Sequence, residues 1–325
     1  NWQLHGKDTA GFYLVNILIH IVNSLLVFLI IRKLLSTDGV KNDTLLSCRD
    51  WAALAGALIF AVHPLQSQAV AYIYQRLASM AAMFYLMSFY FYLNSYFKRG
   101  IQSFFLLIAS LLSFVLGAFS KETIFTLPAA LIFLELFFLR KKGRIRYFRI
   151  IFILMLAAGG LAGVWLYKDI NLAFTDDYGR SISVANYLFT QADVVLRYIR
   201  MVLLPYGQNI SHFVPIYKDF LRIEVIGSAA VHLIIISTGI YLFFKNRLAS
   251  FGILWFYLTI AVESSIIVLA DPMFEHRVYL PMAGYCFLLP ALVFGWKYFE
   301  GRISYPAVFI SVLIILLSFT AYFRV

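Results

Sequence analysis

In this chain of 325 residues, 62% are hydrophobic and 13% charged, whereas a soluble domain carries about 45–50% apolar and about 25% charged residues. The surplus has no soluble core to fill, so a soluble globular protein is excluded. The net charge of +11 would suggest nucleic acid in a soluble protein, but here its distribution between loops is the informative quantity, and no nucleic-acid partner is expected.

Apolar runs long enough for a membrane helix, roughly 20 residues, recur from end to end. Lipid offers no partner for a bare N–H or C=O, so only helices or closed barrels can cross it. Barrel strands would be short and alternating, and these runs are neither. The expected fold is therefore all-α, a polytopic transmembrane bundle. Its spans are predicted near 12–33, 51–64, 78–97, 101–119, 123–139, 150–167, 224–244, 249–269, 279–297 and 304–323. Sorting Lys and Arg into alternate loops places 16 of the 27 on one side, with Arg140 to Arg149 as the densest run. The positive-inside rule makes that side cytoplasmic. The alternation requires that Val184 to Pro205, which carries Asp193, Arg197 and Arg200, lie on the outer surface or re-enter rather than cross. Residues 168–223 then form one large outer loop, and 1–325 is a single membrane domain without internal repeats. The chain opens at Asn1 without Met or a signal-peptide pattern, and a preceding segment is expected.

Unusual polar residues gather on the predicted outer side. The first group, His63 to Gln68 and on to Gln75 and Arg76, reads as an amphipathic interfacial helix after Pro64, with Gln68, Tyr72, Gln75 or Arg76, and Ser79 on one face. An anchor whose polar face meets water accounts for it, as does a site wall. His63 has no second ligand at i+4, and no metal role is assigned. Arg197 and Arg200 share a helix face with Asp193; two guanidiniums so placed can grip a phosphate, and a solvated ion-paired face is the competing reading. Asp176 and Asp177 are adjacent and diverge, a weak signal. Ser120-Lys121-Glu122 stands at a tight turn, where it lines a site or marks the membrane boundary. Glu263 lies inside a span, where an ionisable group usually faces a cavity or a partner. Glu135, near the cytoplasmic end, can reach Arg140 or water. In Glu275-His276-Arg277 a strand-like or turn connection would place Glu275 and Arg277 on one side, toward Lys121 and Arg76. Cys48 and Cys286 match no metal or redox spacing and read as packing residues.

Together, Gly11-Phe-Tyr-Leu-Val-Asn16 through His20 and Asn23, His63-Pro64 with Ala69-Val70, Gln75-Arg76, Ser120-Lys121-Glu122-Thr123, and Glu275-His-Arg-Val-Tyr-Leu-Pro281 resemble the membrane part of the transmembrane and tetratricopeptide-repeat O-mannosyltransferases, most of all bacterial proteins of that architecture. The resemblance covers nearly the whole chain. It implies a GT-C superfamily glycosyltransferase in the bacterial inner membrane, working on the periplasmic face. The donor would be a polyprenyl-phosphate sugar, with no further cofactor or metal, and an exported protein the acceptor. It also implies a first span and an outer loop with an acidic catalytic residue before Asn1, and tetratricopeptide repeats after Val325. By position it makes Glu122 and Glu275 the catalytic candidates. Arg277, Arg76, Lys121, His276, His63, Gln68, Arg197 and Arg200 are the candidates for substrate binding. Ser67-Gln68 departs from the family's usual Thr-Glu, which removes an acid at that point.

The function expected is transfer of a sugar from a lipid-linked phosphate to a hydroxyl, Ser or Thr of an exported protein. A lipid-linked-sugar transporter or flippase is the first rival and predicts inverted repeats with midplane charges, which the sequence does not show. A non-catalytic scaffold is the second, and gives no reason for charges at matching depth.

Overall fold

The computed structural model describes residues 9–139, 149–161, 182–266, 268–269, 271–299 and 303–324. Among these every regular element is helical. In chain order the helices are α1 (Ala10–Leu34), α2 (Asp43–Ser47), α3 (Arg49–Val62), α4 (Ser67–Ala71), α5 (Arg76–Ser95), α6 (Gly100–Ala118) and α7 (Leu127–Phe137). They continue with α8 (Arg149–Leu161), α9 (Val184–Leu203), α10 (Ile223–Lys245), α11 (Arg247–Ile260), α12 (Met282–Phe294) and α13 (Ser304–Tyr322).

Five stretches are long and apolar enough to cross a membrane: α1, α5 with its preceding turn, α6, α10 and α13. A sixth arises if α3 and the segment Pro64–Ala71, bent by 51° at His63, count as one span. The remaining expected spans also fall on helix, but α8, α11 and α12 are shorter apolar helices and α7 has only 11 residues. α9 is not among the candidate crossings. It is amphipathic, and its buried face, including Tyr187, Gln191, Val194 and Tyr198, packs against α10 and the segment Val262–Ile266.

Polar side chains in the apolar interior are tolerated where they are hydrogen-bonded, and α1 shows how they then tie helices together. Asn16, His20 and Asn23 recur at helical spacing and face inward. Asn16 donates to the Val70 carbonyl at 2.9 Å, and Asn23 donates to the Ser79 carbonyl and to the Tyr279 hydroxyl, each at 3.0 Å. His20 bridges the Tyr279 hydroxyl (2.7 Å) and the Ala61 carbonyl (3.0 Å). α11 and α12 meet at Gly252 and Gly284, where a Cβ on either would lie 2.4 Å from the other's carbonyl oxygen. Beside this contact Phe251, Trp255, Phe89 and Phe287 form the aromatic core.

Four of the short helices, α3, α7, α11 and α12, share one feature: at the predicted outer end each adjoins a non-α turn. Pro64–Gln66 follows α3, Glu122–Thr126 precedes α7, the π-helical Val262–Ile266 follows α11, and Glu275–Val278 leads toward α12. These turns pack on one another, the first against the fourth and the second against the third.

Two expectations are corrected here. Residues 63–79 are not one amphipathic helix, because Tyr72 is extended (φ −87°, ψ 109°) and divides α4 from the next turn. The polar side of this segment turns inward, burying Gln68 and Ser79, while Tyr72, Tyr74 and Leu77 are exposed. Glu275 and Arg277 lie not on a strand or open turn but on a 3₁₀ turn, where residues two apart point different ways because three complete a revolution. At the opposite end, Glu135 pairs with Arg149 at 3.2 Å; Arg140 lies outside the described residues. The pair is roofed by Tyr92, whose hydroxyl donates to Glu135 at 2.8 Å. Asp176 and Asp177 also lie outside the described residues.

Candidate functional site

The packed outer turns place a charged cluster at their centre. Glu263, on the π turn, is 1% exposed. A carboxylate this deep is retained only with partners, and two cations supply them. Lys121 Nζ ion-pairs with Glu263 Oε1, and Arg277 Nε lies 3.9 Å from Oε2. Arg277 is held further by donating to the Asp271 and Pro272 carbonyls at 2.6 and 2.9 Å. The surrounding frame is tyrosine. Tyr187 donates to the Glu263 backbone carbonyl at 2.6 Å, and the Tyr198 hydroxyl donates to the Phe274 carbonyl and accepts from its N–H, both at 2.9 Å.

Lys121 connects this cluster to open space. Its side chain is 16% exposed, against 1% for Glu263 and 4% for Arg277. With Glu122, Ser120 and Gln75 it lines a groove of 830 Å³ whose other walls, including Phe114, Phe119 and Phe125, are mainly apolar. This lies within the range of ligand pockets, about 300–1,000 Å³. Burial pushes the Glu122 carboxyl up; Lys121 pulls it back and the Glu263 carboxylate pushes it up again, leaving it above the ordinary range. The groove thus offers a cation, a carboxyl group of enhanced basicity and an apolar wall side by side.

His276 and Gln68 sit behind this front. The Gln68 side-chain oxygen accepts from the His276 backbone N–H (2.7 Å) and lies 3.2 Å from its Nδ1, while Gln68 Nε2 donates to the Ile210 carbonyl at 2.9 Å. Burial, then repulsion from Lys121 and Arg277, lowers the His276 pKa to about 2. The ring is therefore neutral at physiological pH and takes no part as a cation.

Other predicted residues have different partners. Glu275 is wholly buried: one carboxylate oxygen accepts from the Asn209 N–H and faces His212 Nε2, each at 2.8 Å, and the other pairs with Arg324. It fastens residues 209–212 to the end of α13. His63 is likewise a fastener. Its Nδ1 accepts from the Leu65 N–H at 3.2 Å, so Nε2 carries the proton donated to the Val202 carbonyl at 3.0 Å. Arg76 donates to Asn16 Oδ1 at 2.6 Å and to the Phe12 carbonyl at 3.0 Å. Arg197 pairs with Asp193 at 2.8 Å, as its i,i+4 spacing implies, and Arg200 lies over the Tyr206 ring at 4.7 Å.

The sequence reading names Lys121, Glu122 and Arg277 but assigns no site role to Glu263, the residue that joins two of them. Its signal was present, an ionisable group within an apolar span. His212 and Arg324 carried none, because their partner Glu275 is distant in the chain. Among the described residues no group of three His, Cys, Asp or Glu side chains is placed to hold a metal ion. No family model matches this chain, and comparison with curated proteins and with solved structures also returns no match.

Proposed function

We propose that the chain is a GT-C-type membrane glycosyltransferase crossing the bilayer about ten times, with its site on the outer, periplasmic face. It would transfer a sugar from a polyprenyl-phosphate donor to a protein hydroxyl. One observation carries the reading: Lys121 reaches from a buried ion-pair cluster to the rim of a large apolar groove. A lipid-linked phosphate needs that juxtaposition, an apolar wall for the chain and a cation where the headgroup leaves the lipid. The motif resemblance supports the same reading and supplies the sugar-transfer chemistry.

In the proposed step an acceptor hydroxyl oxygen attacks the anomeric carbon, and the bond from that carbon to the phosphate oxygen breaks with its electron pair staying on phosphate. The hydroxyl proton passes to a carboxylate, for which Glu122 is the groove's candidate. Phosphate leaves without protonation, so stabilising its growing charge falls to Lys121, backed by Arg277. Glu263 and the tyrosines hold these cations in place, and Glu275 holds the loop above them.

The test uses purified protein with polyprenyl-phosphate-linked hexoses and a Ser/Thr-containing acceptor, following labelled sugar. Lys121→Ala is expected to lower transfer by about 10²-fold or more, the scale of losing one charge-stabilising donor. Arg277→Lys keeps the charge but loses the planar fork and falls between wild type and Arg277→Ala. Normal transfer by a folded Lys121→Ala protein, or donor translocation by wild type without transfer, overturns the reading, and the latter outcome favours the flippase.

A further inference from the structure

A second cavity, of 480 Å³, opens at the end of the molecule that the charge distribution assigns to the cytoplasm. Its floor is built from three connections. Asn42 donates to the Gly295 carbonyl and Asn246 to the Ala291 carbonyl, each at 2.9 Å, and Arg247 donates to the Phe137 carbonyl at 2.7 Å. Gly295 is where the two asparagines converge: an added Cβ would lie 3.2 and 3.3 Å from their amide nitrogens and 2.3 Å from the Ala291 carbonyl oxygen. Around this floor stand Lys41, Lys245, Arg247 and Lys297, with Asp43 the only acidic residue of the lining. The three lysines are exposed.

The same helix that contributes Lys245 carries an apolar path away from it. Leu233, Ser237, Tyr241 and Lys245 follow one another at i,i+4 spacing along α10. Leu233, Ser237 and Tyr241, with Ile234 and Thr238, line a shallow surface groove of 430 Å³. From Leu233 to Lys245 the helix rises about 18 Å, close to the roughly 15 Å depth of one leaflet's hydrocarbon. Leu233, Ile234 and Tyr241 are all more than half exposed.

We propose that this pocket binds the phosphate headgroup of an anionic phospholipid, with an acyl chain lying along the α10 row. Basic residues at the cytoplasmic interface attract anionic headgroups. Positive-inside orientation alone would account for the lysines, but not for their convergence on a hydrogen-bonded concavity at the foot of a helix row that rises about one leaflet and carries a surface groove along its length. A soluble phosphate would use the cations and ignore the groove. The site is separate from the outer one and does not depend on the reaction proposed there.

The experiment is native mass spectrometry of the full chain released from nanodiscs of phosphatidylcholine containing graded phosphatidylglycerol. Wild type should retain phosphatidylglycerol selectively. The triple variant Lys41→Gln, Lys245→Gln, Lys297→Gln should lose about 100-fold in affinity while keeping its helical circular dichroism and elution volume. Lys98→Gln with Arg99→Gln, cations of the same end outside the pocket, should retain the lipid. Tyr241→Asp, which charges the chain path and leaves the cations intact, should weaken the lipid but not inorganic phosphate. Retention by the triple variant, equal loss in the Lys98/Arg99 control, or displacement of the lipid by inorganic phosphate with no effect of Tyr241→Asp would each overturn the proposal.

Discussion

Gln68 shows what a single side chain decides in this site. Its amide has one acceptor and one donor end, and the fold uses both: the oxygen faces the His276 N–H and the nitrogen faces the Ile210 carbonyl. A glutamate in its place would set a second oxygen against that carbonyl. Gln68→Glu should therefore cost about 1–3 kcal/mol at neutral pH, the cost of an unsatisfied buried polar group. The new carboxyl, with its pKa raised in the fold, recovers the bond when protonated, so the loss should shrink as pH falls. Thermal unfolding in detergent across pH measures both. His276 has the opposite sign. Its folded pKa lies far below the unfolded value of about 6.5, so its neutral form is a stabilising condition lost as pH falls below that value. In His276→Phe the acid-side decline should be shallower by about one proton's slope; an unchanged slope would show that the ring titrates normally. Lys121, Glu122 and Arg277 were legible in the sequence because charge at the ends of apolar runs is conspicuous. The direction of each side chain was not, since it depends on whether the connection is strand, α or 3₁₀.

At the level of elements, the long apolar runs announced themselves as helices by composition, while the outer turns did not. The sequence from His63 to Ser79 has a convincing helical period, yet the chain breaks at Tyr72, and the polar groups of the broken segment find long-range partners, Gln68 at His276 and the Val70 carbonyl at Asn16. The contact between α11 and α12 was equally hidden, resting on two glycines in otherwise ordinary apolar sequence. Gly284→Ala should push the helices apart and destabilise by about 1–3 kcal/mol, as overpacking does. Gly159→Ala, where a Cβ meets nothing within 4 Å, should be nearly neutral. Similar melting temperatures for the two variants would contradict the close approach.

For the whole molecule, sidedness is the property on which the functional reading depends. If the charge distribution sets orientation, a cysteine at Tyr178 should react with an impermeant reagent added to sealed cells, and one at Lys142 should react only after permeabilisation; reversal of that pattern would invert both proposed sites. The short helices bear on a different event, entry into the bilayer. α3, α11 and α12, of 14, 14 and 13 residues, rise only about 20 Å, against a hydrocarbon thickness of about 30 Å. Recognised one at a time by the insertion machinery, they would be poor substrates. α1, 25 residues long and apolar enough to cross a membrane, contacts α3 directly and α3 contacts α12, so it can act as the scaffold that retains its shorter partners as they emerge. Biogenesis is then expected to be cooperative along the chain, and removing the inward amides of Asn16 and Asn23 should reduce the yield of inserted protein before it alters anything at the outer site.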